Sequence, residues 1–357
     1  MRVAVYTIAK NEEQFVQGWY DSAKDADYLL IADTGSTDNT VEKAKKLGIS
    51  VISISINPWR FDDARNASLA QIPSDIDYCI ALDMDEVLLP GWREELEKAF
   101  ESKITRPRYK YTWSWKDKEE TVPDLQYGAD KIHSRQGYRW KHPVHEVLSA
   151  DRMQETQDWY DLEIHHHPDK TKSRSHYLDL LKLSTIEDPN DDRNAHYFAR
   201  ELLNNGLREL AAEEFKRHLE LPSSQWEAER SASYRYLAMC EPEKAREHLI
   251  NAIKEDPSRR ESRIKYATYL YHHKEWESCY NVCLEALEIK DKPLDYLCEG
   301  YAWGSLPYDL ASISAWNLGM VEKAIEYGKV ALELDPENER LASNLLHFEQ
   351  SLAEKTD

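Results

Sequence analysis

Tyr78-Cys79-Ile80-Ala81-Leu82-Asp83-Met84-Asp85-Glu86 is the stretch whose reading decides the fold. A short apolar run ends on two carboxylates separated by one residue. The run suits a buried strand. Two carboxylates at its end can serve one hard divalent cation, and Mg²⁺ sites typically use one or two carboxylates beside substrate phosphates. Two acids near a strand end are, on their own, more often solvated turn residues. The rest of the N-terminal sequence moves the balance toward a site.

Upstream, strand-like and helix-like segments alternate. Arg2–Ile8 reads as a strand and Asn11–Ala23 as a helix. Tyr28–Ala32 is a second strand, running into the turn cluster Asp33-Thr34-Gly35-Ser36-Thr37-Asp38-Asn39-Thr40, with Val41–Leu47 helical beyond it. Val51–Ile56 is a third strand, Asp62–Gln71 a helix, and Tyr78–Leu82 the fourth strand. This alternation predicts an α/β domain with a mostly parallel sheet. Such sheets bind ligands beyond the carboxyl ends of their strands. Residues 9–13, 33–40, 58–65 and 83–86 each follow a strand and should therefore meet at one rim.

The chain has 357 residues, enough for two cores, and a net charge of −20 from 46 basic and 66 acidic residues. That balance argues against general nucleic-acid binding, which rests on cationic contacts to phosphate. No apolar run approaches the roughly 20 residues that span a bilayer, and Met1–Lys10 is too short and too soon charged for a signal peptide. The five cysteines form no C-x-x-C pair. Free thiols in a reducing cytoplasm are the expectation.

Residues 105–150 are rich in aromatics, and Tyr109–Trp115 alternates with the period of a half-exposed strand. Sheet core accounts for most of these rings; one or two could stack on a sugar. From about residue 171 the pattern turns helical. The segments Ala211–Leu219, Ala245–Ile253, Cys279–Leu287 and Ala324–Leu332 start 34, 34 and 45 residues apart. A 34-residue period is that of tetratricopeptide repeats, which stack into solenoids. The longer interval carries an aromatic insertion near Cys298–Tyr308, whose Tyr296, Tyr301, Trp303, Leu306 and Tyr308 predict a contact surface and a homodimer.

In order and spacing, residues 9–13 (Ala-Lys-Asn-Glu-Glu), 33–38 (Asp-Thr-Gly-Ser-Thr-Asp), 61–66 (Phe-Asp-Asp-Ala-Arg-Asn), 82–86 (Leu-Asp-Met-Asp-Glu) and 144–146 (Val-His-Glu) resemble a family 2 glycosyltransferase of the GT-A fold, here joined to tetratricopeptide repeats. Relatives with this pairing include bacterial peptide S-glycosyltransferases, which are dimeric. The resemblance implies a GT-A domain over residues 1–170, a linker and first helix over 171–194, and repeats over 195–357. It implies a nucleotide-diphosphate sugar donor, UDP favoured, with Mn²⁺ or Mg²⁺, an inverting transfer, and a protein, peptide or glycan acceptor. Lys10, Asn11, Glu12 and Asp33 fall at the nucleotide. Asp83 falls toward the ribose and shares the ion with Asp85. Arg65 is placed to pair with phosphate or with Asp83. From the tract His165-His166-His167, His166 is the favoured further metal ligand, and imidazole keeps Mn²⁺ in view. Lys172 and Arg174 would clamp the diphosphate. Glu146 is the candidate base, with His145 as its orienter, a metal neighbour or a substitute base. A non-catalytic nucleotide-sugar-binding scaffold, and a transferase acting on modified nucleic acid, are the alternatives. A sugar nucleotidyltransferase would want a Gly-rich basic loop after the first strand, which residues 9–13 are not.

Overall fold

The computed structural model describes residues 1–151, 153–169 and 177–356. It forms two compact units: Met1–Ser184 with Leu294–Tyr296, and Thr185–Pro293 with Leu297–Asp357. The division falls between Ser184 and Thr185, inside the span assigned from sequence to a linker and first helix.

In the first unit the elements run β1 (Val3–Ala9), α1 (Val16–Ala23), β2 (Tyr28–Asp33), α2 (Thr40–Lys46), β3 (Ser50–Ser53), α3 (Phe61–Ala70) and β4 (Tyr78–Ala81). Then come β5 (Glu86–Leu88), α4 (Trp92–Glu101), β6 (Arg108–Thr112), β7 (Gln126–Ala129), β8 (Ile132–Ser134), β9 (Tyr138–Lys141), β10 (Val147–Ala150) and β11 (Trp159–His166). The helix α5 (Tyr177–Glu187) carries the chain across the division between units.

The main sheet has the order β3-β2-β1-β4-β8, parallel except for β8. Both faces are covered, and the two-residue period shows it. Val3 and Val5 of β1, with Tyr78 and Ile80 of β4, enter one core beside Trp19 and Leu96. Ala4, Tyr6, Cys79 and Ala81 enter a second core beside Leu69 and Trp140. A sheet buried on both faces reads as continuous apolar runs, which is how β2 and β4 read.

A second sheet, β5-β11-β6-β7, follows. Its central strand β11 is antiparallel to β5 and parallel to β6. The register sets His166 opposite Glu86 and Ile164 opposite Leu88. That pairing brings the His tract to the end of β4.

The first helix is shorter than its sequence predicts. Residues 11–15 stay out of it because Asn11 sits at φ 56°. Its carboxamide oxygen accepts from Thr37 N at 2.7 Å, and its own N–H donates to Ser36 Oγ at 2.9 Å. Turn hydrogen bonding of this kind competes with helix.

The second unit is all helical: α6 (Asp192–Asn204), α7 (Arg208–Glu220), α8 (Glu227–Cys240), α9 (Ala245–Glu255), α10 (Arg260–His272), α11 (Trp276–Glu288), α12 (Leu306–Asn317), α13 (Val321–Leu334) and α14 (Glu339–Thr356). A 3-10 turn at Pro242–Lys244 precedes α9. Counted from that turn, the starts at 208, 242, 276 and 321 are 34, 34 and 45 apart. A left-handed residue stands two positions before three of them: Gly206, Lys274 and Gly319. Helices commonly end on such a residue.

The aromatic insertion lies between α11 and α13. Tyr301, Trp303 and Leu306 pack against the core of the third repeat. Tyr301 Oη donates to the Glu261 carbonyl at 3.0 Å, and Trp303 Nε1 to Glu261 Oε1 at 2.8 Å. These three side chains are partly buried in the repeat's interior.

Candidate active site

The loops after β1, β2 and β4 meet at the carboxyl rim of the main sheet. Thr34 N donates to Ala9 O at 2.9 Å, and Glu12 N to Thr40 Oγ1 at 2.7 Å. Asp33 is buried and accepts from Gly35 N and Ser36 N at 3.1 Å each, a turn held by its own aspartate. Lys10 and Asn11 are exposed beside it, and Glu12 is buried.

Beyond β4, Met84 turns into the core, and Asp83 and Asp85 keep different company. Arg65 Nη2 donates to Asp83 Oδ1 at 2.7 Å, and Lys131 Nζ to Asp83 Oδ2 at 3.0 Å. Burial alone would raise the Asp83 carboxyl; the two cations override it and hold the group well below the usual range. The sequence reading gives Asp83 a share of the ion. Here both its oxygens are held by cations, which leaves Asp85 as the carboxylate open to a metal.

Arg65 also donates through Nε to Glu146, and its guanidinium lies 5.0 Å from the Trp140 ring centroid. Burial works against its charge; Asp83 and Glu146 outweigh that and raise its pKa. Its Nη1 is buried with no hydrogen-bond partner. Next to it, Asn66 makes a double hydrogen bond with the Trp140 backbone at 2.9 Å in each direction. Asn66 therefore fixes α3 against β9 while Arg65 faces the acids.

Lys131 and Glu86 complete the cluster. Lys131 Nζ reaches Glu86 Oε1 at 3.0 Å, and the same oxygen accepts from Tyr111 Oη at 2.6 Å. The other Glu86 oxygen accepts from Asp83 N at 2.9 Å. The chain Glu146–Arg65–Asp83–Lys131–Glu86 is thus a row of alternating charges under the rim.

Each histidine of the tract has a distinct place. His166 follows Leu162 and Ile164 on the buried face of β11, and its Nε2 lies 3.4 Å from Asp85 Oδ2. Its Nδ1–H donates to Trp113 O at 3.1 Å, which turns Nε2 toward Asp85. The Trp113 ring stacks on it at 4.5 Å. Burial alone would lower its pKa; Asp85 outweighs this and raises it. His165 turns to Glu163 at 2.9 Å, and His167 to Glu120. His145, at φ 50°, presents its ring edge-on to Tyr177, 5.8 Å away. Lys172 and Arg174 lie outside the described residues.

Asp85 and His166 fit a divalent ion. Two donors about 2.1 Å from one ion stand about 3.0 Å apart at right angles and about 3.4 Å at a tetrahedral angle.

Residues 4–149 match the family model Glycosyl transferase family 2. The N-terminal unit carries a family 2 glycosyltransferase domain.

An uncharacterized glycosyltransferase of Rickettsia typhi is 32% identical over 102 residues, 28% of this chain and 34% of its own length. One from Rickettsia conorii is likewise 32% identical over 102 residues, covering 28% of this chain and 35% of its own. The chain spans about a third of the length of these curated relatives. Among solved structures, YrrB, a tetratricopeptide protein, aligns with a TM-score of 0.40 at 15% identity, over 49% of this chain and 85% of its own. Glucosyl-3-phosphoglycerate synthase of Mycobacterium tuberculosis, solved with Mn²⁺ and UDP, aligns with a TM-score of 0.29 at 21% identity, over 38% and 57%. Those scores are low; the fold rests on strand order and the 34-residue helical period.

Two residues of the candidate site's charge row, Glu86 and Lys131, have no role in the sequence reading. Glu86 was legible as part of residues 82–86 without a role. Lys131 had no local signal, since it lies in a loop before β8 and reaches Asp83 only through the antiparallel pairing of β8 with β4.

Proposed function

We propose that this chain is a metal-dependent glycosyltransferase that moves a sugar from a nucleotide-diphosphate sugar, UDP favoured, to a protein, peptide or glycan acceptor with inversion. The observation that carries this reading is the approach of Asp85 Oδ2 and His166 Nε2 to 3.4 Å at the rim of a family 2 domain. Asp85 and His166 would hold Mn²⁺ or Mg²⁺. When bound, the ion offsets charge on the departing nucleoside diphosphate as a Lewis acid.

The protein's own residues do the rest. Asp33, with Lys10, Asn11 and Glu12 beside it, receives the nucleoside, and Asp83 faces the ribose. Arg65 has a buried Nη1 free to donate to a phosphate oxygen. Its draw toward that oxygen loosens its hold on Glu146, which then takes the acceptor's proton as general base. His145 orients this group or substitutes for it. Lys172 and Arg174 close on the diphosphate. The helical unit docks the acceptor or a second copy of the chain, in a cytoplasmic setting. No described helix is long and apolar enough to cross a membrane. Sedimentation equilibrium that returns a monomer at micromolar concentration removes the homodimer.

The test is donor hydrolysis by the full chain across UDP-, GDP-, ADP- and dTDP-sugars with Mn²⁺. Turnover of one nucleotide class, abolished by EDTA, is expected. No turnover, together with tight nucleotide-sugar binding, supports a non-catalytic scaffold instead.

A further inference from the structure

The first two repeats of the helical unit bring three metal-ligand side chains together. Asp192 opens α6, His218 sits in the last turn of α7, and Glu229 lies in the first turn of α8. One donor atom from each lies within 4.8 Å of the other two. His218 and Glu229 are buried, and Asp192 is half-buried.

The chemistry around the cluster is that of an oriented ligand set. His218 Nε2 stands 3.2 Å from the Ser224 hydroxyl, which an ion would displace, and 3.4 Å from Glu229 Oε2, the separation of two ligands held about 2.0–2.1 Å from a tetrahedral ion. The opposite ring nitrogen, Nδ1, is fixed by the Ser233 hydroxyl at 3.0 Å, and that hydroxyl also meets His196 Nδ1 at 2.8 Å. Metal-bound imidazoles are usually steadied in this way through their second nitrogen. His196 is fully buried, its ring centroid is 5.3 Å from that of His218, and its Nε2 has no hydrogen-bond partner.

We infer that Asp192, His218 and Glu229 form a second divalent-metal site, selective for a first-row ion such as Zn²⁺, that ties the ends of α6, α7 and α8 together. One imidazole and two carboxylates leave a fourth position for water. This site is independent of the donor site and of its reaction.

The test uses the full chain with Asp85→Asn and His166→Asn, which silence the first site. Equilibrium dialysis at micromolar free Zn²⁺ should return one ion per chain, and Zn²⁺ should raise the thermal midpoint. Adding Asp192→Asn, at a half-buried position where folding is least at risk, should weaken binding at least tenfold and abolish the midpoint shift. Glu229→Gln, which keeps the side chain's size, should do the same. If the parent binds no zinc, or if both variants bind as it does, the three groups serve only as helix-end charges and the site does not exist.

Discussion

Replacing Lys131 with methionine removes the cation that separates Asp83 from Glu86. Lys131 Nζ is 3.0 Å from an oxygen of each. At an effective dielectric of about 20, each contact is worth roughly 5 kcal/mol of Coulomb attraction, most of it offset by desolvation of the ions. Breaking a buried pair from one side costs about 3–5 kcal/mol. The Lys131 and Asp83 side chains are 29% and 28% exposed, whereas Glu86 is 2% exposed. Water therefore softens part of the loss, and Lys131→Met should destabilise the transferase domain by about 3 kcal/mol. That is a drop of roughly 1 M or more in the urea midpoint. Glu86→Gln removes the acid that loses most, so the double variant should be more stable than the sum of the singles by about 1–2 kcal/mol. Hydrogen exchange at the β1 and β4 amides reads the domain separately from the helical unit. Additive effects, or a Lys131→Met loss below about 0.5 kcal/mol, would refute the charge row as a coupled unit.

Glu146→Gln should bind donor within a few-fold of wild type and transfer about 10²–10⁴ times more slowly; near-normal turnover in a single-turnover assay would exclude Glu146 as the base. His133 gives the pH prediction. It is buried between Tyr6 Oη, 3.1 Å from Nε2, and the Ser134 carbonyl, 2.8 Å from Nδ1, and burial pushes its pKa down to about 4 from 6.5. The folded pKa lies below the unfolded one, so only unfolding lets the ring charge; stability is complete above about 7 and falls as pH drops toward 4, by about 2 kcal/mol at pH 5. His133→Gln should show that much less loss between pH 7.5 and 5 in urea titrations, and equal slopes would sink the assignment.

The rim of the parallel sheet was legible because each strand ends on a polar cluster: Asp33 after β2, Asp83 and Asp85 after β4. The repeats were legible because helix packing imposes a period on small and apolar residues. What sequence could not show is pairing over long separations. One or two of the rings in residues 105–150 were expected to be free to stack on a sugar. Trp113 instead stacks on His166, and Trp115 Nε1 donates to His166 O at 2.9 Å. The resemblance favoured His166 within its tract, and the pairing of β5 with β11 sets it opposite Glu86. Lys131 was hidden for the same reason.

The central claim is that Asp85 and His166 hold the ion through which a nucleoside diphosphate binds. Calorimetric titration of the full chain with UDP, in Mn²⁺ and then in EDTA, tests it most directly when repeated on Asp85→Asn. The account predicts UDP binding that needs Mn²⁺ in the wild type and is weakened at least tenfold in the variant, with the circular dichroism spectrum unchanged. UDP affinity that is the same in EDTA, or the same in Asp85→Asn, would contradict it.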